Sequence, residues 1–428
     1  MENNIDEIID FLLKNGSYVP YLKELREKSI KEIKKDKDLK EVLSDIATDV
    51  EAITKAFLNS KNVFGTNYIT GISTGIYIPD YENNSIYKLK LLGGTTSRNG
   101  NKEVNEDTLF DVASITKLYT LVLCFKLEEL GYLDLNIPIK EINPDFQNLE
   151  DFTLNDLIRL HGEIRTDGNV AEAESYEEAL SRLKTAYLLS NDRTRNKYTD
   201  FGAMIIANTI EKIISKELNR EMKYDDIMFE FLFKPLMINT SKFRPNIEIA
   251  SGNANNLGLP HDPKSRNLGG VAGHAGIFTN SEGLIRLADG LFDKGYLNQS
   301  HLNRLGEKTF NNSAKGNLGI YLKCIDGSCK TFNPYEFSDG SFTHQGWTGS
   351  LASFDPNYKI HNNILVNAIE INADKEKLKN DKPLGFLDEF NKYQMELMKR
   401  IMLMYVVKKY YNKYSKVYET VNEVRKIR

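Results

Sequence analysis

The chain of 428 residues is poor in the features that mark several classes of protein. It has only three cysteines (Cys124, Cys324 and Cys329), too few for a disulfide framework. It has no apolar run of about 18 residues, the length that a membrane-spanning helix needs. The net charge is only -4, so no excess of basic residues indicates a nucleic-acid partner. Metal-ligand spacings such as His-Glu-x-x-His or Cys-x-x-Cys are missing, so we predict neither a metal nor another cofactor.

The N-terminal residues carry no targeting signal. Residues 1–7 are acidic and polar, without the basic and apolar regions of a signal peptide. We therefore expect a cytoplasmic protein. Apolar residues make up 41% of the chain and charged residues 27%, which is typical of a globular protein with a sizeable core.

Strand patterns flank a long helical region. Residues 1–62 are charge-rich and predict a helical extension. Ile69–Ile78 and Ile86–Leu92 predict two paired strands, and the late strands are expected at Ser341–Phe354 and Asn363–Ile371. Apolar residues at helical spacing predict helices over Thr116–Gly131, 171–190, 200–218, 224–238 and 281–294.

Two early glycines form a motif that could be mistaken for a catalytic one. Gly71 to Gly75 matches Gly-x-Ser-x-Gly, the pattern of a nucleophile elbow. That elbow requires a helix directly after the motif, whereas strand-like residues follow here. A strand that contains glycines is the favoured interpretation.

The end of the chain predicts a hairpin and a long helix. Cys324 and Cys329 flank Asp326-Gly327, a two-residue turn signal, so the thiols would face each other across the hairpin. A disulfide is geometrically allowed, but the reduced pair is favoured in a cytoplasmic protein. Residues 391–428 hold ten Lys/Arg and three Glu, a net charge of +7, within a helix predicted over 384–428. A basic amphipathic helix can bind an anionic membrane, but packing on the sheet is the favoured interpretation.

Ser114 and Lys117 are the first candidates for chemistry. They are three residues apart at the start of the Thr116–Gly131 helix, so their side chains lie on one face. A serine hydroxyl becomes a good nucleophile only when a neighbouring base takes its proton. A helix-capping serine is the structural alternative.

Two later stretches complete a recognisable set. They are Lys197-Tyr198-Thr199-Asp200, and Thr343 to Gly349, which reads Thr-His-Gln-Gly-Trp-Thr-Gly. With Phe-Asp-Val-Ala-Ser-Ile-Thr-Lys at 110–117, they resemble the serine β-lactamase and penicillin-binding-protein superfamily, closest to its class C-like branch. The resemblance implies a mixed α/β (α+β) fold, with an antiparallel sheet flanked by helices and an inserted helical subdomain at about 118–265. The catalytic domain would then span 63–390.

The resemblance also implies roles for individual residues. Ser114 would form an acyl-enzyme, while Lys117 would accept its proton or tune the surrounding network. Tyr198 would act as a general base, although a core tyrosine is the alternative. His344 stands where many relatives carry lysine, and it would polarise Tyr198 or bind substrate, unless it only packs in the core.

Further residues would bind substrate or stabilise the oxyanion. Asp200 would hold Lys117 or the substrate amide, and the backbone N–H groups of Ser114 and Trp347, next to Gly346, would form the oxyanion hole. His274, in a glycine-rich loop, is expected to line the cleft.

Two departures from the family pattern bear on the substrate. Leu160-His161-Gly162 replaces a His-Thr-Ser-Gly-like stretch, so one edge of the cleft is expected to be rebuilt. His344 offers only a partial positive charge near pH 7, which argues against efficient binding of a β-lactam or peptide carboxylate. We therefore expect a serine hydrolase for a small ester or D-amino-acid peptide. The alternatives are a penicillin-binding DD-carboxypeptidase or weak β-lactamase, and a catalytically silent ligand-binding relative.

Overall fold

A computed structural model describes most of the region between residues 69 and 368. The described residues are 69–368 without 81–84, 99, 196, 253–256, 310–315, 323–337 and 339, a few residues between 44 and 59, and the backbone of 419–427. The residues described between 44 and 59 are helical. Most of the predicted N-terminal extension, the Cys324–Cys329 hairpin and most of the predicted C-terminal helix lie outside the described residues.

The main sheet has seven strands in the described part of the chain. In order across the sheet they are β13 (Glu419–Ile427), β2 (Ser85–Gly94), β1 (Gly71–Asp80), β12 (Ile360–Val366), β11 (Leu351–Asp355), β10 (Phe342–Gln345) and β9 (Tyr321–Leu322). Neighbouring strands are antiparallel except β13 and β2. The predicted pairing of the first two strands is confirmed, with Gly71 opposite Gly94 and Asp80 opposite Ser85.

One strand prediction and one helix prediction need correction. The stretch Ser341–Phe354 is two strands, β10 and β11, because the chain reverses between Gly346 and Ser350, where Gly346 N–H donates to the Ser350 carbonyl (2.7 Å). Gly349 adopts a φ of 90° in this turn, a conformation that favours glycine.

The end of the predicted basic helix over 391–428 is also wrong. Residues 419–427 form β13, which pairs with β2 in parallel, from Glu419 opposite Ser85 to Ile427 opposite Gly93. Without β13, strand β2 would be the edge of the sheet, with unpaired backbone groups. The β-branched residues Thr420 and Val421 favour the extended conformation that pairs with these groups.

Nine α-helices lie between Thr116 and Leu305 in the described residues. They are α1 (Thr116–Glu129), α2 (Ile139–Ile142), α3 (Leu154–Ile158), α4 (Tyr176–Lys184), α5 (Phe201–Glu217), α6 (Tyr224–Met228), α7 (Pro263–Asn267), α8 (Ser281–Phe292) and α9 (Gln299–Leu305). Helix α6 continues as a π-helical turn over Phe229–Phe233. The helix predicted over 171–190 ends earlier, at Lys184, and a short strand follows it.

Two small sheets accompany the helices. One has the order β6 (Ser241–Phe243), β8 (Ile277–Thr279), β3 (Leu109–Asp111) and β7 (Ala250–Ser251). Its strand β3 shortly precedes α1 in the chain. The other pairs β4 (Glu163–Arg165) with β5 (Tyr187–Ser190). Both consist of very short strands, so packing against the helices must stabilise them.

The core joins the main sheet to the helices. Helix α1 is buried on nearly all sides, and the Cys124 thiol is buried within it. Helix α8 packs on β1, where Ser281 Oγ lies 2.7 Å from Ser73 Oγ. The predicted fold class is confirmed: helices flank a largely antiparallel sheet. Among the described residues, no helix combines the length and apolarity that crossing a membrane requires.

Candidate active site

A strained turn presents Ser114 at the start of α1. Residues Ala113–Ile115 form a single 3-10 turn, and Ala113 has a φ of 44°, which is unusual for a residue with a side chain. The buried Asp111 carboxylate accepts a hydrogen bond from Ala113 N–H (2.8 Å), which holds this conformation. Burial raises the pKa of Asp111 to about 6, although backbone N–H donors oppose the rise.

Ser114 Oγ lies between two polar side chains. Lys117 Nζ donates to it at 2.9 Å, and Tyr198 Oη donates to it at 3.1 Å. Lys117 is fully buried, whereas 42% of Tyr198 is exposed. The structure thus brings together three residues from two distant parts of the sequence, in the arrangement that an activated serine needs.

Lys117 is held in its charged form. Its ammonium lies 2.8 Å from Asp200 Oδ1 and 3.3 Å from the carbonyl oxygen of His274. Burial opposes the charge, but the attraction of Tyr198 and Asp200 outweighs burial and raises the pKa of Lys117 above that of an ordinary lysine. Of the two roles expected for Lys117, this favours tuning the network as a cation over accepting the serine proton.

Asp200 faces the site instead of capping its own helix. It occupies the N-cap position of α5, yet its side chain makes no capping hydrogen bond. Thr199 Oγ1 accepts from Phe201 N–H instead, which leaves the Asp200 carboxylate for Lys117 and Lys264. Burial opposes the Asp200 charge, but these two lysines and His274 hold the pKa of Asp200 well below its usual range.

His344 is buried at the end of β10. Its Nδ1 lies 3.0 Å from the carbonyl oxygen of Gln345, and its Nε2 lies 3.2 Å from that of Leu318. Leu318 and Gly319 both have positive φ, and a Cβ on Gly319 would lie 2.3 Å from the Tyr198 ring. His344 therefore fixes the turn that supports Tyr198, a placement that the sequence did not indicate.

Gly346 brings the end of β10 against the Ser114 turn. A Cβ on Gly346 would lie only 2.4 Å from the carbonyl oxygen of Val112, so only glycine fits. The next residue, Trp347, is 63% exposed and lines the same cavity as Ser114. This close approach is what the predicted oxyanion hole requires of the Ser114 and Trp347 backbone N–H groups.

The cavity above Ser114 has a volume of about 500 Å³. That volume is in the usual range for small-molecule sites. Its lining is largely polar and aromatic, from residues that include Tyr198, Tyr321, His344, Trp347, Asp262 and Lys264.

His274 does not line this cavity, contrary to expectation. It is 1% exposed and lies behind the wall, where its Nε2 is 2.8 Å from Asp262 Oδ1. The glycine loop around it packs tightly: a Cβ on Gly273 would lie 2.1 Å from the Ala203 carbonyl oxygen. His274 reaches the site through its backbone carbonyl, which accepts from Lys117.

One group of side chains has the composition of a metal site. Ligand atoms of Asp200, Asp262 and His274 lie within 4.8 Å of one another. However, the Lys264 ammonium lies 3.1 Å from both carboxylates and supplies the positive charge that they need. A lysine in this position disfavours a cation, so the group fits an ion-pair network better than a metal centre.

Lys264 and Gly319 are the residues that sequence reasoning missed. Nothing in the sequence placed Lys264 beside Asp200. Asp262 caps α7 by accepting from Ser265 N–H, and this cap directs the first turn of α7 toward the site.

The stretch Leu160-His161-Gly162, which departs from the family pattern, is held in place by Asp156. The Asp156 carboxylate accepts from His161 Nδ1 (2.7 Å) and Arg193 Nε (3.0 Å). Leu160 in turn accepts a hydrogen bond from Lys197 N–H (2.8 Å), directly before Tyr198. The rebuilt edge is thus connected to the backbone that positions Tyr198.

Comparisons with known proteins agree with this geometry. The sequence profile of the family described as Beta-lactamase matches residues 68–380. An N-acetylmuramyl-L-alanine amidase of Bacillus subtilis (strain 168) is 25% identical in an alignment 307 residues long, and the alignment covers 61% of this chain and 68% of the relative. A putative D-alanyl-D-alanine carboxypeptidase of Salmonella gallinarum is 26% identical over 298 residues, 58% of this chain and 67% of the relative.

A solved structure supports the same fold. The beta-lactamase/D-alanine carboxypeptidase from Pseudomonas syringae aligns with a TM-score of 0.60 at 16% identity, covering 83% of this chain and 98% of that one. The matched region contains every residue around Ser114 described above. The chain belongs to the beta-lactamase family, within the superfamily of serine β-lactamases and penicillin-binding proteins, and it is a serine hydrolase.

Proposed function

We propose that the protein hydrolyses a small ester or the amide bond of a D-amino-acid peptide through an acyl-enzyme on Ser114. The observation that carries this proposal is the pair of contacts at Ser114 Oγ, 2.9 Å from Lys117 Nζ and 3.1 Å from Tyr198 Oη. The names of the amidase and the carboxypeptidase relatives support amide hydrolysis. The partly exposed Tyr198 and Trp347 leave the nucleophile open to a substrate of modest size.

The geometry suggests how the steps divide among the residues. With Lys117 held as a cation, the deprotonated Tyr198 oxygen is the base that takes the Ser114 proton. Ser114 Oγ then bonds to the carbonyl carbon, and the bond from that carbon to the leaving nitrogen or oxygen breaks as Tyr198 passes that proton to the leaving group. In the second half of the reaction, water gives a proton to the Tyr198 oxygen while the water oxygen bonds to the carbonyl carbon. The bond from that carbon to Ser114 Oγ then breaks, Tyr198 returns the proton to Ser114, and the acid is released. Backbone N–H groups at Ser114 and Trp347 would stabilise the oxyanion in both halves.

A fluorophosphonate probe tests the nucleophile. Folded wild-type protein should be labelled covalently, and Ser114→Ala should not. Ser181→Ala, in an exposed position of α4, is the matched control and should label like wild type. Wild-type protein that folds but stays unlabelled would instead identify a catalytically silent relative.

A substrate panel then separates the classes. We expect turnover of p-nitrophenyl esters and of D-aminoacyl anilides, with less from the L-aminoacyl forms. A fluorescent penicillin that labels wild type strongly and Ser114→Ala not at all would favour a penicillin-binding carboxypeptidase instead.

A further inference from the structure

Five side chains form a charged cluster beneath Ser114. Asp200 binds Lys117 through Oδ1 (2.8 Å) and Lys264 through Oδ2 (3.1 Å). Lys264 also binds Asp262 (3.1 Å), and Asp262 binds His274 (2.8 Å). The His274 carbonyl then accepts from Lys117 (3.3 Å), which closes the cluster.

Lys264 is the member of this cluster with access to the cleft. It lines the cavity above Ser114, and 21% of its side chain is exposed. Burial disfavours its charge, but Asp200 and Asp262 outweigh burial and raise the pKa of Lys264. It is therefore a permanent cation near the nucleophile.

The Asp200 carboxylate, which Lys117 and Lys264 share, links Lys264 to the reaction at Ser114. If Asp200 faced Lys117 alone, its whole charge would hold the proton on Lys117 and oppose removal of any proton from the Ser114 network. A second ammonium on the other oxygen of Asp200 offsets that charge. An asparagine at position 200 would carry no charge to offset.

We propose that Lys264 is a positioning residue for acylation, which shares the carboxylate of Asp200 with Lys117 and so sets the pH above which Ser114 reacts. The inference rests on the proposed role of Ser114 as the nucleophile. It assigns Lys264 no contact with the reacting atoms, only an effect through Asp200.

Other charged groups around the cluster must be taken into account. Tyr198 and His344 face it from the cleft. His261, before α7, also lines the cleft. From the elements packed behind the cluster come Asp111 on β3 and Arg266 within α7. These groups are unchanged in every variant below, so a difference between variants reports the charge at position 264.

The test measures the rate of fluorophosphonate labelling of the full chain from pH 5 to pH 10. Replacing the ammonium by a neutral group, in Lys264→Met, should move the midpoint of the profile upward by about one pH unit, since a nearby cation favours loss of a proton. Lys264→Arg keeps the charge and should retain the wild-type midpoint. Lys234→Met, which removes a 61% exposed lysine paired with Glu230, is the matched control and should not shift it.

A double-mutant cycle shows whether the effect passes through Asp200. In the Asp200→Asn background, adding Lys264→Met should shift the midpoint by less than half as much as in wild type. An equal shift in both backgrounds would mean that Lys264 acts directly on the nucleophile or the substrate, and would overturn the inference. So would a Lys264→Met profile that coincides with wild type.

Folding is checked by thermal denaturation of each variant. Lys264→Gln is a second neutral variant, because its amide still donates to a carboxylate, and it should show the same upward shift. If both neutral variants fail to fold, Lys264 serves the stability of the fold and the inference falls. Absence of labelling in folded wild type would count against Ser114 as the nucleophile, whereas labelling with unshifted midpoints would count against Lys264 alone.

Discussion

Replacing Gly346 by alanine should separate the oxyanion hole from the rest of the site. Gly346 is not among the glycines with a positive φ, so alanine there does not have to adopt the left-handed conformation. The obstacle is space: the new Cβ would lie 2.4 Å from the Val112 carbonyl oxygen and 3.1 Å from the Val112 carbonyl carbon. Both atoms belong to the backbone that enters the Ser114 turn, so neither can rotate away.

The size of the effect follows from the 2.4 Å distance between the new Cβ and the Val112 carbonyl oxygen. An ordinary contact begins at 3.4 Å, so β10 and the Ser114 turn must separate by 1.0 Å (3.4 minus 2.4). Overpacking of this kind costs about 1–3 kcal/mol of stability. A shift of 1 Å also withdraws the Trp347 N–H from the oxyanion, and loss of one such donor lowers kcat by about 10²–10³.

Steady-state hydrolysis of a p-nitrophenyl ester is the assay. We expect kcat and kcat/KM to fall together, since the interaction is made in the transition state, while KM changes little. Gly202→Ala, where the nearest atom to the new Cβ is the Leu157 carbonyl oxygen at an ordinary 3.4 Å, is the matched control and should keep wild-type kinetics. If folded Gly346→Ala turned over within about threefold of wild type, the reasoning on the oxyanion hole would be refuted.

Two further predictions concern Tyr198 and the rebuilt edge. Tyr198→Phe keeps the ring that packs on Gly319, so stability should hold while fluorophosphonate labelling slows by about 10²–10⁴, and unchanged labelling would exclude Tyr198 as the base. Burial opposes the charge of Asp156, but His161 and Arg193 hold the pKa of Asp156 well below its usual range. The Asp156 carboxylate therefore contributes its full stability above the unfolded pKa of about 3.9, and this contribution is lost as the pH falls below that value. Denaturant unfolding should therefore show Asp156→Asn to be less stable than wild type at pH 7 but less sensitive to acid, and parallel pH profiles would contradict this.

Local patterns predicted much of the fold because they depend on neighbours in the sequence. The helix predicted over Thr116–Gly131 from its apolar face is α1, almost residue for residue. The failures came from long-range pairing. Residues 419–427 belong to the stretch that was predicted as a basic helix. They instead pair with β2, more than 300 residues earlier in the chain, and only the folded sheet brings the two strands together.

The sequence by itself indicated the candidate nucleophile, Ser114, and its nearest partner, Lys117. Ser114 and Lys117 are one helical turn apart, so local geometry is enough to join them. Tyr198, Asp200 and His344 were found only because their motifs resemble a family.

Only the tertiary structure decided which charged and polar groups surround Ser114 and Lys117. It placed Lys264 beside Asp200, turned His274 into the core, and aimed the nitrogens of His344 at backbone carbonyls. Asp200 and Lys264, for example, lie 64 residues apart in the sequence, and no local periodicity encodes their contact. Because electrostatic effects depend on distance and burial, the protonation of the site could be read only once the chain was folded.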